Sequence, residues 1–142
     1  MAALDPINTA LNEKQLSHLL RRATFGFTND DLIALSGQSL DVVLNTLFET
    51  VEDPEPPIDL ATGLSWLPAP VDNINSDNGD LLDFFLSWWL DQMRTSGINI
   101  KEKLVFFLHT HITTRSSVAE NATALYYQNA LFRTFATGSL KN

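Results

Sequence analysis

Residues 80–96 read DLLDFFLSWWLDQMRTS, and the spacing of their side chains indicates the fold class. The polar side chains recur every three or four positions, at Asp80, Asp83, Ser87, Asp91 and Arg94. This spacing places them in one narrow stripe along an α-helix. Because nearly all the other side chains are large and apolar, the stretch predicts a mostly buried helix over 80–96.

Five further stretches have helical periodicity and plausible ends. We expect Asn12, Thr28 and Ser39 to be the N-caps of the first three helices, and Thr28 with Asp31 resembles a capping box. The five predicted helices cover 13–24, 29–36, 40–49, 101–111 and 119–136. No alternation typical of strands is sustained, so the sequence predicts an all-α fold of about six helices.

A long irregular loop is predicted between the third and fourth helices, over about residues 52–79. It contains five of the six prolines and several asparagines, which favour turns. We expect Trp66 and Leu67 to hold its middle against the body of the protein. The alternative is a lid or a partner-binding segment, since long ordered loops often carry function.

Length and composition limit the class of protein. A chain of 142 residues is predicted to be one helical domain, or the N-terminal segment of a larger one. The net charge of −8, with nine scattered basic residues, excludes a nucleic-acid surface. There is no cysteine, and no stretch reaches the length of a transmembrane helix. The first residues lack a signal-peptide pattern, and the sequence leaves the compartment open, with an exported or envelope protein whose leader has been removed as one alternative.

The two most apolar helices, predicted over 80–96 and 101–111, need cover on several sides. The short helices supply about half of this cover. Each large aromatic side chain that is left in water forfeits about 2 kcal/mol of stabilisation. We therefore expect cover from the remainder of a longer chain or from self-association. The alternative is that the proline-rich loop folds over these helices.

The second distinctive stretch, residues 101–114, reads KEKLVFFLHTHITT and ends its apolar run at His109 and His111. On a helix these two histidines lie about 200° apart and do not share an ion. The β-branched residues that follow favour unwinding, and in an extended segment both would face one side. With His18 or an outside carboxylate they would then suit zinc or iron. The alternatives are histidines that close a buried helix, or acid–base catalysis.

The arginines at positions 21 and 22 suggest a second kind of site. His18 and Arg22 share one helical face and together suit a carboxylate or phosphate. The alternative is a structural clamp, in which Arg21 or Arg22 pairs with Glu102 or Asp91 of a neighbouring helix. The two arginines point about 100° apart, and the sequence favours neither.

Three motifs of the chain resemble, in the same order, those of the bacterial proteins grouped as domain of unknown function 1800 (DUF1800). Residues 18–26, HLLRRATFG, resemble the N-terminal signature of that family. Residues 101–111 resemble its central motif, in which an acid and a base precede an apolar run ending in Trp-His-Asn-His-Phe. The third match spans residues 127–138. Leu108, Thr110 and Ile112 depart from the central motif, whereas the histidines keep their places.

The resemblance covers about residues 11–142, the N-terminal third of the family's usual domain. It implies a helical and often exported bacterial protein, with further motifs beyond Asn142, and it supplies no reaction. We therefore predict a scaffold or interaction module of a larger envelope-associated protein. The alternative is a metal-dependent enzyme whose His-x-His site is completed by residues beyond the chain end. Whether the protein is an enzyme stays open at this point.

Overall fold

The computed structural model describes residues 9–67, 77–114 and 121–138, and within these ranges it has six α-helices and no strand. The helices are α1 (Glu13–Ala23), α2 (Asn29–Leu35), α3 (Leu40–Leu47), α4 (Asn78–Thr95), α5 (Lys101–His111) and α6 (Ala122–Phe135). The predicted all-α fold is confirmed. α1, α2, α4 and α6 each end one residue earlier than predicted, and α3 ends at Leu47 rather than at residue 49.

The first three helices begin where their capping residues predict. Asn12 Oδ1 accepts a hydrogen bond from the Gln15 backbone at 3.0 Å, and the Gln15 side chain accepts one from the Asn12 backbone. Thr28 and Asp31 form the same reciprocal pair. The Ser39 hydroxyl accepts from the first turn of α3. These bonds satisfy backbone groups that a helix start otherwise leaves unpaired, which explains why the three starts were predictable.

The start of α4 lies two residues earlier than predicted, at Asn78 instead of Asp80. Asp77 is the N-cap, and its Oδ1 accepts from the Asp80 backbone at 3.0 Å. α6 begins at Ala122, where the Asn121 side chain accepts from the helix backbone. The first residues of the helix predicted over 119–136 lie outside the described residues.

Two apolar clusters form the core. The first joins α1, α2 and α3 through Leu11, Leu16, Leu20, Ala23, Leu35, Val43 and Leu47. Ile98 and Ile100, from the connection between α4 and α5, pack against it. The second joins the loop, α4 and α6 through Trp66, Leu81, Phe85, Ala122 and Leu125. α6 also packs along α5, so α4, α5 and α6 form one helical group.

The loop between α3 and α4 is held to the body as predicted. Trp66 is only 4% exposed and lies in the second cluster, with Leu67 packed beside it. Trp88 of α4 donates from its Nε1 to the Glu55 carbonyl at 2.8 Å. The loop therefore covers part of α4, although residues 68–76 of the predicted loop lie outside the described ranges.

The cover over α4 and α5 is incomplete. Leu81 and Phe85 are buried on α4, whereas Leu86 and Leu90 on its outer face are exposed. The prediction that this helix is mostly buried is therefore wrong for the outer face, because α6 and the described part of the loop pack against its other side. In the part of the chain that the structure describes, no helix combines the length and hydropathy needed to cross a bilayer.

Candidate functional site

A chain of polar side chains runs through the apolar contact between α5 and α6. Glu102 and His109 lie two turns apart on α5, and Asn129 and Arg133 lie one turn apart on α6. This spacing puts each pair on one face of its helix. The side chains of Glu102 and Arg133 are 8% and 4% exposed, so the group lies inside the protein.

The four side chains are joined by hydrogen bonds from end to end. Arg133 donates from both terminal nitrogens to the Glu102 carboxylate, with Nη2 and Oε2 2.9 Å apart. Its Nε donates to Asn129 Oδ1 at 2.8 Å. Asn129 Nδ2 lies 3.2 Å from His109 Nε2. A bidentate arginine–carboxylate pair is among the stronger and more directional polar contacts in proteins.

The direction of these bonds fixes the proton on His109. Arginine only donates, so Asn129 must turn its oxygen towards Arg133 and its amide nitrogen towards His109. Nε2 of His109 then accepts, and the ring proton of the neutral imidazole lies on Nδ1. A second proton on Nε2 would remove this bond and add a positive charge to the group that contains Arg133.

Aromatic rings enclose the polar chain. Trp88 lies over the Arg133 guanidinium, 5.1 Å from ring centre to Cζ. The rings of Trp89 and Phe132 are centred 4.3 and 4.8 Å from that of His109. Burial, and to a smaller extent the positive charge of Arg133, together lower the pKa of His109 from 6.5 to about 4. His109 is therefore a neutral hydrogen-bond acceptor at neutral pH.

We expect the free energy of unfolding to fall as the pH is lowered from 6.5 to about 4, because of His109. Between these values the unfolded chain binds the proton and the folded chain does not, so acidification favours unfolding. Above this pH range His109 is neutral in both the folded and the unfolded chain, so it no longer makes the free energy of unfolding depend on pH. Urea unfolding at several pH values measures the effect.

The variant His109→Gln isolates this contribution, since glutamine offers an accepting oxygen and has no proton to gain. The wild type and the variant contain the same carboxylates. The difference between their two curves of unfolding free energy against pH therefore reports the contribution of His109. His111→Gln, at the exposed end of α5, should follow the wild-type curve. An H109Q curve with the wild-type slope would contradict the assigned burial of the imidazole.

The three histidines predicted to bind metal lie in different surroundings. α5 stays helical through His111, so the extended His-x-His arrangement does not form. His111 Nδ1 lies 2.8 Å from the carbonyl oxygen of Phe107, one turn earlier, and His18 is exposed on α1. Among the residues described, no three His, Cys, Asp or Glu side chains are grouped so that they could hold a metal ion. The metal site stays a prediction that needs ligands from elsewhere.

The arginine that pairs with Glu102 is Arg133, rather than Arg21 or Arg22. Arg133 faces Glu102 across the contact between α5 and α6. Arg21 and Arg22 are exposed on α1, whose buried face belongs to the other cluster. The second acid considered, Asp91, pairs with Arg94 of its own helix at 2.6 Å.

Sequence reasoning missed Asn129 and Arg133. The available signal was their spacing of four on α6, on the face that also carries the buried Leu125 and Phe132. A charged residue and an amide on an apolar helix face require polar partners inside the protein. Glu102, in the first turn of α5, is a natural counter-charge for that face.

A cavity of about 210 Å³ opens beside the ion pair, and its lining includes Glu102 and Arg133. The hydroxyls of Thr95 and Ser96 also line this cavity. Thr95 donates to the Asp91 carbonyl and Ser96 donates to the Met93 carbonyl, both in α4. Neither is bonded to a base in the described residues, so the wall offers no activated nucleophile. The arrangement acts as a buried clamp that fixes α5 against α6.

Neither a curated protein nor a solved structure matches the chain. The family model described as protein of unknown function (DUF1800) matches residues 18–142, which include all four side chains of the clamp. Since that match covers most of the sequence, the chain belongs to the DUF1800 family.

Proposed function

We propose that this protein is a helical interaction module that pairs with a second copy of itself through the outer face of α6. The observation that carries the proposal is an exposed apolar stripe on that face. Tyr127, Leu131 and Phe135 follow one another at intervals of four residues and are 49%, 55% and 59% exposed. They lie side by side along two turns of the helix.

Charge supports a second copy as the partner. Two chains that each carry a net charge of −8 repel one another, so an uncharged surface is where they approach most easily. Arg133 is the only charged residue of α6, and it points inward to Glu102. The exposed Leu86 and Leu90 of α4, by contrast, have exposed acidic residues near them.

The size of the stripe indicates a weak pair. Each of the three side chains is about half exposed, and burying the rest of it contributes about 1 kcal/mol. Two copies meeting about a twofold axis would bury the stripe of each. The loss of free translation and rotation opposes association by about 4 kcal/mol or more. We therefore expect a dimer whose population rises with protein concentration.

Light scattering over a range of concentrations tests this proposal. The wild-type mass should rise towards that of a dimer, and added salt should promote the dimer because it screens the repulsion between chains. Leu131→Glu should stay monomeric, because it places a charge at the centre of each apolar stripe. Ile33→Glu on α2 is the matched control, since Ile33 is 66% exposed away from α6, and it should associate like the wild type.

Two results would overturn self-association. One is a wild-type protein that stays monomeric at every concentration and in high salt. The other is an Ile33→Glu variant that dissociates as readily as Leu131→Glu. If a longer version of the polypeptide is monomeric and shields Tyr127, the stripe serves a further segment of the same chain instead.

The wider setting that we propose is a scaffold within a larger envelope-associated protein. Its support is the family resemblance, which implies exported members. Fractionation of the native cells, followed by detection of the protein, tests this setting. Recovery of the protein in the cytosolic fraction alone would contradict it.

The alternative function is a metal-dependent enzyme that uses His109 with ligands from outside the described residues. The neutral imidazole favoured by the lowered pKa of His109 is the form that binds metals. Its Nε2, however, is already engaged by Asn129. Metal analysis of the purified protein, with thermal unfolding before and after chelation, tests this alternative. A metal-free protein that chelation does not destabilise would remove it.

A further inference from the structure

A groove of about 480 Å³ runs beside α1, and none of its lining residues belongs to the α5–α6 clamp. Its apolar lining comes from Leu11, Leu19 and Leu40. Its polar lining includes Lys14, His18 and Arg22. The groove therefore combines leucine side chains with one row of basic groups.

The basic row is regular and lacks acidic partners. Lys14, His18 and Arg22 follow one another at intervals of four residues, which spreads them over about 12 Å of the helix. All three are exposed, and within the described residues none of them forms an ion pair. Lys14 and Arg22 are two of only nine lysines and arginines in a chain whose net charge is −8.

We propose that this groove is a docking site for an acidic amphipathic helix of a partner protein. Acidic residues four apart on a helix are spaced by about 6 Å, the same spacing as the basic row. A partner helix lying along α1 would thus place a carboxylate opposite each basic side chain. Its apolar face would cover the half-buried Leu19 and Leu40. This surface is separate from the outer face of α6, so the proposal stands independently of self-association.

A synthetic helical peptide of about four turns is a suitable probe. It carries a glutamate at every fourth position, leucines on the adjoining face and a fluorescent label. Fluorescence anisotropy should show saturable binding to the whole chain that weakens as salt is added. Arg22→Glu should weaken binding by about tenfold or more, because one attraction is replaced by a repulsion.

The adjacent arginine supplies the matched control. Arg21 is also exposed on α1 and does not line this groove, although the neighbouring surface that it borders shares Lys14 and His18 with the groove. Arg21→Glu makes the same change in net charge and should weaken binding much less than Arg22→Glu, because Arg21 does not line the groove. Both variants change exposed side chains, and circular dichroism checks that each keeps its helices.

Three results would overturn the docking site. The first is the absence of saturable binding of the acidic peptide at low salt. The second is equal weakening by Arg21→Glu and Arg22→Glu, which would indicate diffuse attraction. The third is equal binding of a peptide with alanines in place of its leucines, or with lysines in place of its glutamates. The proposal is supported if binding is lost with Arg22→Glu and with both altered peptides but is largely kept with Arg21→Glu.

Discussion

Replacing Glu102 with alanine is expected to lower the free energy of unfolding by about 3–5 kcal/mol. The substitution leaves the Arg133 guanidinium buried beside Trp88 with no counter-charge, although Asn129 still accepts from its Nε. An unpaired charge inside a protein is among the most destabilising changes that one substitution makes. Urea unfolding at neutral pH measures the loss, which would be a large part of the stability of a small domain.

The exposed pair between Asp91 and Arg94 is the matched control. Its side chains are 53% and 75% exposed, compared with 8% and 4% for Glu102 and Arg133. Asp91→Ala should therefore lower the free energy of unfolding by less than about 1 kcal/mol. If Glu102→Ala costs no more than Asp91→Ala, the buried clamp does not hold α5 to α6.

A double variant separates the charge from the packing. Glu102→Leu with Arg133→Met removes both charges and keeps apolar volume between the helices. Because no charge then remains buried, most of the stability lost in Glu102→Ala should return. A double variant as unstable as Glu102→Ala would show instead that the hydrogen bonds themselves carry the contact.

Replacing Trp66 with alanine is expected to lower the free energy of unfolding by about 3–5 kcal/mol. Trp66 is 4% exposed and fills the second cluster, beside residues that come from α4 and α6. Its removal leaves a cavity and releases the loop from the body. Thermal or urea unfolding measures the loss, and hydrogen exchange of the described part of the loop, residues 52–67, should rise.

The exposed Leu64 controls for general effects in the loop. It lies two residues before Trp66 and is 70% exposed, so Leu64→Ala should change the free energy of unfolding by less than about 0.5 kcal/mol. Trp66→Phe should retain more stability than Trp66→Ala. The indole Nε1 has no hydrogen-bond partner in the described part of the chain, so phenylalanine loses mainly volume. Equal effects of Trp66→Ala and Leu64→Ala would contradict the anchoring role.

Much of the helical architecture was predictable because its signals are local. Asn12, Thr28 and Ser39 each accept a hydrogen bond from the backbone three residues ahead, so the sequence alone identifies these helix starts. Asp77 works in the same way and was overlooked, which misplaced the start of α4 by two residues. The apolar spacing within α1 and α3 likewise matches the side chains that are buried there, Leu16, Leu20, Val43 and Leu47.

The candidate site was only half predictable. The sequence drew attention to Glu102 and His109 because they stand out on an apolar helix. Their partners Arg133 and Asn129 lie 31 and 20 positions further along the chain. No spacing rule within one helix reaches that far, so the sequence offered Arg21 and Arg22 as equally good partners for the carboxylate.

The sequence by itself determined the helices, their starts and their apolar faces, because these depend on hydrogen bonds and side-chain spacing within one or two turns. Only the tertiary structure decided which charges meet and which apolar faces stay uncovered. Those outcomes depend on how α4, α5 and α6 dock against one another. Docking turned Glu102 towards Arg133, and it left Tyr127, Leu131 and Phe135 facing outward.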